Sequence, residues 1–574
     1  MLDESYARKA ARRLLVVAIS CLAMVLALVL TTPGPGGQAV AESPGPGLPA
    51  SASPAWHASV LRARDVPDRD ATDDIDRARE AAQDRAALAG SRPGRQDDGV
   101  GIDTESELRE AWTDARRTRI DLTGDIHLRN CHVGDPIRES PYPMLVDGHG
   151  HSLQQTCFEK RLLRQDGTGF LKIQHLQLSR GGSDGPGAAV TSRGEILLVD
   201  CRITQNLSEE PGGGVFSMRR VTVRDSVISG NLANDDGGGV YARRGGVQIY
   251  DSVVSHNLVD GSGGAVASTG DILVVRSRVD GNTTDGDGGA LYADEAGDVT
   301  VIDSTIDGSD ADGPGGAIFT LDGDVAVLNS TLLGNRADDR GGAISGESDV
   351  LIVNSTVARN LAVAHVGGGV WARGNLLVVN STITDNYAEG QGGGLVAAGG
   401  LALFGSTISS NIAPVGANIG AAGQFTSVGS IIGPAFTDAG GGGTRPTRQS
   451  CRVYEAVSSG YNLVTDASCA LADETDLADF TDPRLAALED DPVGRMMFPL
   501  PDSPALARIP TGACLPLLPA VVPAAQLLGP DADTRVDWTD ILSRDQAGTA
   551  RDRGLACDVG AAQTPASAGK GAGG

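Results

Sequence analysis

The sequence predicts an all-β protein: a right-handed parallel β-helix of about ten coils, a solenoid with a cap at each end. Three observations carry this. One small residue recurs every 25 to 27 positions from Cys201 to Ser406. Aliphatic residues alternate around it with period two, which is strand and not helix spacing. Glycine makes up 78 of 574 residues while aromatics are only 4%, a composition of many tight corners.

The columns of the repeat follow from that register. The small column is Cys201, Ser226, Ser252, Ser277, Ser304, Ser330, Ser355, Ser381, Ser406 and Ser430. Three places earlier stand aliphatics such as Leu198, Val223 and Ile249, and two places later Ile203, Ile228 and Val254. Five places later comes an asparagine: Asn206, Asn231, Asn257, Asn282, Asn335, Asn360, Asn386 and Asn411, with Ser309 as the exception. A Gly-Gly-small-aliphatic step closes each unit, ending at Val215, Val240, Val266, Leu291, Ile318, Ile344, Val370 and Leu395.

Each column has a physical role. The aliphatics form the core, each contributing about 1.5–3 kcal/mol when buried. The asparagines form an inward structural ladder that pairs turn backbone with the rung above and below. No ten-residue stretch of the repeat has helical periodicity, so helical solenoids are disfavoured. A leucine-rich repeat fails because its middle leucine is serine or cysteine in every copy. A parallel crossover is right-handed almost always, which sets the expected hand.

The ends divide as follows. Residues 1–41 read as a signal peptide: Arg8, Lys9, Arg12 and Arg13, an apolar run Leu14–Leu30, then Ala39-Val40-Ala41 as a cleavage site. The run is nearly long enough to span a bilayer, so an uncleaved N-terminal membrane helix is the alternative. Residues 42–100 are a Pro/Gly/Ser-rich, then charged, linker. Residues 101–170 form an N-terminal cap with the first coils, including a short amphipathic helix between Thr104 and Arg117. The regular β-helix occupies 171–434, a C-terminal cap 435–564, and a disordered tail 565–574.

An exported chain meets an oxidising space. By proximity along the chain Cys131 would pair with Cys157, Cys451 with Cys469 and Cys514 with Cys557, a connectivity that sequence alone does not dictate. Cys201 sits in the serine column and is expected to be a buried free thiol. Lys+Arg number 47 against Asp+Glu 73, a net charge of -26, which argues against nucleic acid as a partner.

The motifs Gly315-Gly316-Ala317-Ile318 and Gly341-Gly342-Ala343-Ile344, with Ile228-x-x-Asn231 and Ile383-x-x-Asn386, resemble the repeat of the polymorphic outer membrane proteins. Leu108-Arg109-Glu110-Ala111 is similar to part of the motif of CSLREA proteins. Ser459-Gly460-Tyr461-Asn462-Leu463, Asp502-Ser503-Pro504-Ala505, Asp545-Gln546-x-Gly548 and Cys557-Asp558-Val559-Gly560-Ala561 resemble choice-of-anchor Q proteins. These resemblances imply an exported β-helix with a disulfide-bearing C-terminal cap, and little chemistry.

Several constellations bear on function. Asp147-Gly148-His149-Gly150-His151 contains the Gly-His-Gly of pectin-type hydrolases but reads as a polar turn, since no partner motif accompanies it. Asp200, Asp225, Asp251 and Asp303 share a column that also holds Arg276, Asn329, Asn354, Asn380 and Gly405. That mixture fits a corner better than the paired carboxylates of glycoside hydrolysis. An acidic column, Glu209, Asp260, Asp285, Asp312, Asp338 and Glu389, is either a solvated, charged loop that keeps the rod soluble, with no cofactor, or a weak calcium site. An aromatic column, Phe216, Tyr241, Tyr292, Phe319 and Trp371, must point outward because the aliphatic before it points in. It is the expected ligand face.

The reading that follows is a secreted or cell-surface binding protein, adhesin-like, for an extracellular polysaccharide or a host or cell-surface polymer. A polysaccharide lyase or glycoside hydrolase on the same face, with catalytic residues the sequence does not name, is the enzyme alternative. A spacer rod without ligand is the third.

Overall fold

The coil that starts at Val215 shows how the sequence is wound. Its strands are Val215–Ser217, Val221–Arg224, Val227–Ser229 and Leu232–Ala233. The next coil lies parallel and in step, with Val215 beside Val240, Val223 beside Ile249, Ile228 beside Val254 and Ala233 beside Val259. Repetition of this step makes a parallel β-helix whose aliphatic columns fuse into one continuous core from Ile102 to Leu471. The computed structural model describes residues 100–563, apart from 158, 441–442, 479–481, 489–495, 511–513, 515–542, 547 and 552–555. The signal peptide or membrane helix, the linker before residue 100 and the tail 565–574 lie outside the described residues.

Three corners per coil adopt left-handed backbone. In this coil they are Asp225 (φ 49°), Gly230 (φ 63°) and Gly237 (φ 72°). The first explains the Asp/Asn column: short Asx side chains tolerate that conformation, so Asp200, Asp225, Asp251 and Asp303 stand where the chain turns. At the third corner glycine is obligatory on two grounds. Besides its positive φ, a Cβ on Gly237 would lie 2.5 Å from the Val240 carbonyl oxygen.

Two polar ladders line the inner side of the corners. Asn231 donates through Nδ2 to the Ile203 carbonyl (3.1 Å) and to Asn257 Oδ1 (2.9 Å). Asn257 Oδ1 also accepts the Asn231 backbone N–H at 3.0 Å. Each serine of the small column likewise receives the backbone N–H of the rung before it, as Ser252 Oγ does from Ser226 at 3.0 Å. Ser309 interrupts the asparagine ladder, and its Oγ is buried without a partner. Cys201 is buried and unpaired, and burial pushes its thiol up to about 12.

The stack is longer than the ten regular repeats. The sheet made by the third strand of each coil has 14 strands among the described residues. Ile126–Leu128, Ser152–Gln155 and Gln177–Ser179 precede the regular strands, and Leu463–Val464 follows them. The first coils are harder to see in sequence because Leu176 and Gly181 stand where serine and asparagine stand later. The helix Glu105–Thr113 is capped by Thr104 and buries Leu108, Ala111 and Trp112. The Trp112 indole donates to the Arg164 carbonyl at 2.9 Å, fastening the helix to the first coils.

Disulfides join Cys131 to Cys157, Cys451 to Cys469 and Cys514 to Cys557. Loops of 26, 18 and 43 residues are closed, each worth about 3–4 kcal/mol in the chain-entropy account. After Cys514 the described chain returns along the outside of the third-strand sheet. Gln546 accepts from Thr382 Oγ1 (2.7 Å) and donates to Thr356 Oγ1 (2.8 Å). The Ala561 N–H reaches Thr407 Oγ1 at 3.1 Å. Arg551, 3% exposed, donates to Asn380 Oδ1 and the Gly560 carbonyl, both at 2.9 Å.

Candidate functional site

The aromatic column lies on the first strand of each coil, in register. Phe216 stands beside Tyr241, Tyr241 beside Ala267, Ala267 beside Tyr292, and Tyr292 beside Phe319. Ser345 and Trp371 continue it. The Phe216 and Tyr241 rings stack at 5.7 Å and 5° between planes, and the Tyr292 and Phe319 rings at 5.8 Å and 6°. The glycine loop closes on their roots: a Cβ on Gly237, Gly315 or Gly367 would lie 3.1, 3.0 or 3.0 Å from the Cβ of Tyr241, Phe319 or Trp371.

This geometry changes what the rings offer. Phe216 and Phe319 are only 6% and 4% exposed. Each of these four rings gives one face to its stacked partner, and Ala267 stands between Tyr241 and Tyr292. Arg340 lies over the Trp371 ring at 4.0 Å and pairs with Glu347, occupying a face that the sequence reading left open. Tyr241, Tyr292 and Trp371 remain half-buried. Burial holds the Tyr241 hydroxyl up at about 12 and raises that of Tyr292 as well, so both are hydrogen-bond donors at neutral pH.

Carboxylates that the sequence reading did not single out flank the rings. Asp236 precedes the glycine step of the Tyr241 coil, Asp287 that of the Tyr292 coil, and Asp294 follows Tyr292. Burial, with Asp235, Asp294 and Asp287 nearby, pushes Asp236 up to about 6, although it accepts the Ser262 N–H at 2.8 Å. Burial also raises Asp287, helped by Asp339 and Glu347. The signal for them was present in the column before Gly212, Gly237, Gly263 and Gly288, which reads Pro211, Asp236, Ser262 and Asp287.

The acidic column is not brought together as a calcium ligand set. Its backbone keeps step, Asp260 bonding Ala233 and Asp285 bonding Val259 across rungs. One carboxylate per rung gives only neighbours, whereas calcium takes six to eight oxygens. Arg336 bridges Asp310 and Asp338 and takes up the charge there. Among the described residues the group of three side chains with ligating atoms within 4.8 Å of one another is Asp121, Asp147 and His149, and none of Glu209, Asp260, Asp285, Asp312, Asp338 and Glu389 joins it. The Asp147-Gly148-His149 turn thus does more than turn: it meets Asp121 from the previous coil and His175 from the next.

A shallow cleft of about 330 Å³ is lined by Asp135, Lys160, Arg161, Arg164 and Asp184 among others. Arg161 is held by Asp135 (3.2 Å) and Arg164 by Asp166 (2.8 Å), so these cations are engaged within the protein.

Residues 220–443 match the family model described as right handed beta helix region. The chain is a right-handed parallel β-helix, as the repeat implied. A solved structure described as "L. reuteri 53608 SRRP" is similar at 12% identity, with a TM-score of 0.17, over 63% of this chain and 99% of that one. No curated protein matches the sequence.

Proposed function

We propose that this is an exported, surface-displayed binding protein, adhesin-like, whose ring column holds an extended polysaccharide. The observation that carries it is the outward column itself: Tyr241, Tyr292 and Trp371 half-buried in register, with Asp236, Asp287 and Asp294 beside them. A flat, repeating surface of rings, hydroxyls and carboxylates suits a repeating polyol that lies along the axis. Three disulfides fit a chain that works in an oxidising space. The resemblance of the repeat and cap motifs to polymorphic outer membrane and choice-of-anchor Q proteins implies export, and little chemistry.

Retention on a panel of neutral, anionic and cationic insoluble polysaccharides tests it. Changing Tyr241, Tyr292 and Trp371 together to Ala should abolish retention while the melting curve stays cooperative. Equal retention by the triple variant moves the ligand elsewhere, and retention on no polymer leaves a spacer rod.

One observation favours a second reading. A carboxyl held near 6 beside two tyrosines and two further carboxylates has the character of a general acid in glycoside cleavage. Release of reducing ends by the wild type, lost in Asp236→Asn, would establish hydrolysis; no release from any bound polymer sets this reading aside.

A further inference from the structure

We propose that Asp121, Asp147 and His149 together bind one divalent transition-metal ion of zinc-like chemistry across the first coils, with His175 holding Asp147 from outside. The four residues come from three successive rungs. His149 Nε2 lies 3.1 Å from Asp121 Oδ1, and its Nδ1 3.7 Å from Asp147 Oδ1. His175 Nδ1 lies 3.0 Å from the same Asp147 oxygen. One imidazole nitrogen and two carboxylate oxygens, all within 4.8 Å of one another, make a mixed N/O set, which suits zinc, nickel or copper better than the oxygen-seeking calcium.

The surroundings are those of a held site. The other oxygen of Asp147 accepts from Gln174 Nε2 at 2.6 Å, leaving Oδ1 turned to both histidines. Gln174 and His175 orient the Asp147 carboxylate from outside. Arg119 holds both Asp121 oxygens at 2.7 and 2.8 Å and lies 3.9 Å from Asp147 Oδ2, so an ion takes its place at Asp121 Oδ1. Asp147 is 5% exposed, whereas His149 is open enough to admit an ion.

Placement in the repeat gives a second, independent reason. The left-handed corner before the third strand carries Asp, Asn, Arg or Gly from Asp200 to Gly405, but His175 here, and the longer corner one rung earlier carries His149. Five of the chain's eight histidines, His127, His132, His149, His151 and His175, fall within these first coils. The asparagine ladder starts at Asn206, whose Oδ1 accepts the Gly181 N–H at 2.8 Å, so the rungs before it lack that cross-link. An ion would tie together the coils that the ladder does not reach.

Isothermal titration of the full-length, chelator-treated chain with zinc chloride, nickel chloride or calcium chloride alone tests this. We expect one zinc per chain, with nickel competing and calcium at millimolar concentration not. His149→Asn and His175→Asn keep a residue that accepts the corner backbone, and each should weaken zinc by about 10–100-fold. Zinc should raise the melting temperature of the wild type and not of the double variant. His256→Asn, at another corner, should bind as wild type. Absence of saturable zinc binding, saturable binding that both variants retain, or calcium binding tighter than zinc would overturn the proposal.

Discussion

The asparagine column and the ring column run through the same coils in the same register, one inside the wall and one outside. Inside, each asparagine serves the rungs on both sides: Asn360 Nδ2 donates to the Leu332 carbonyl and to Asn386 Oδ1, while Asn360 Oδ1 accepts two bonds from Asn335. Outside, Phe216 and Tyr241 only touch, ring on ring. The inner ladder is therefore a chain of obligations in which one loss strands several buried groups. The outer ladder is a set of small, separable contacts, free to serve a ligand.

The largest effect should come from breaking the inner ladder. Asn360→Leu removes the side-chain donor to the Leu332 carbonyl and the acceptor of both Asn335 donors, and leaves Asn386 Oδ1 with only the backbone N–H of residue 360, at about 3 kcal/mol or more. Urea unfolding should show the midpoint fall; a loss below about 1 kcal/mol would mean that water replaces the ladder.

A smaller effect belongs to pH on the outer side. Asp236 has a folded pKa raised to about 6 from 3.8. A raised carboxyl favours the fold in its protonated form, so that contribution is full below about 3.8 and lost as pH rises through about 6. Wild type should gain on the order of 1–2 kcal/mol from pH 7 to pH 4 relative to Asp236→Asn, read as the difference between their unfolding curves. Parallel curves would show that the carboxyl is solvated in the folded chain.

Repairing the inner ladder should help. Ser309→Asn supplies the missing amide between Asn282 and Asn335 and removes an unpartnered buried hydroxyl, a gain of about 1 kcal/mol. A loss would mean that this rung has no room for the amide.

The smallest change in stability is expected at the rings. Replacing Tyr292 by Ala removes one stacked pair, worth about 0.2–1 kcal/mol. A much larger drop in melting temperature would assign the column to the fold and away from a ligand.

Much of this was legible in the chain. The serine and asparagine columns name inward positions because only a stacked, tight interior rewards the same polar residue at every rung. Cys201 in the serine column is a buried free thiol for that reason. The outward direction of Phe216, Tyr241, Tyr292, Phe319 and Trp371 followed from strand alternation alone. Harder to read were the first coils, where Leu176 and Gly181 replace the marker residues, and the calcium column, whose even spacing in sequence gave one carboxylate per rung and no cluster.

The sequence by itself determined the repeat, its hand, the inside and the outside, because a 25-residue period with period-two aliphatics has one economical way to bury its core. Tertiary structure decided everything that depends on where neighbouring coils aim their side chains. It stacked the rings face to face, laid Arg340 over Trp371, and spread the C-terminal segment over Thr356, Thr382 and Thr407. It also brought Asp121, His149 and His175 around Asp147. Those meetings join residues a coil or more apart, and rung-to-rung stacking, which no local pattern encodes, sets their distances.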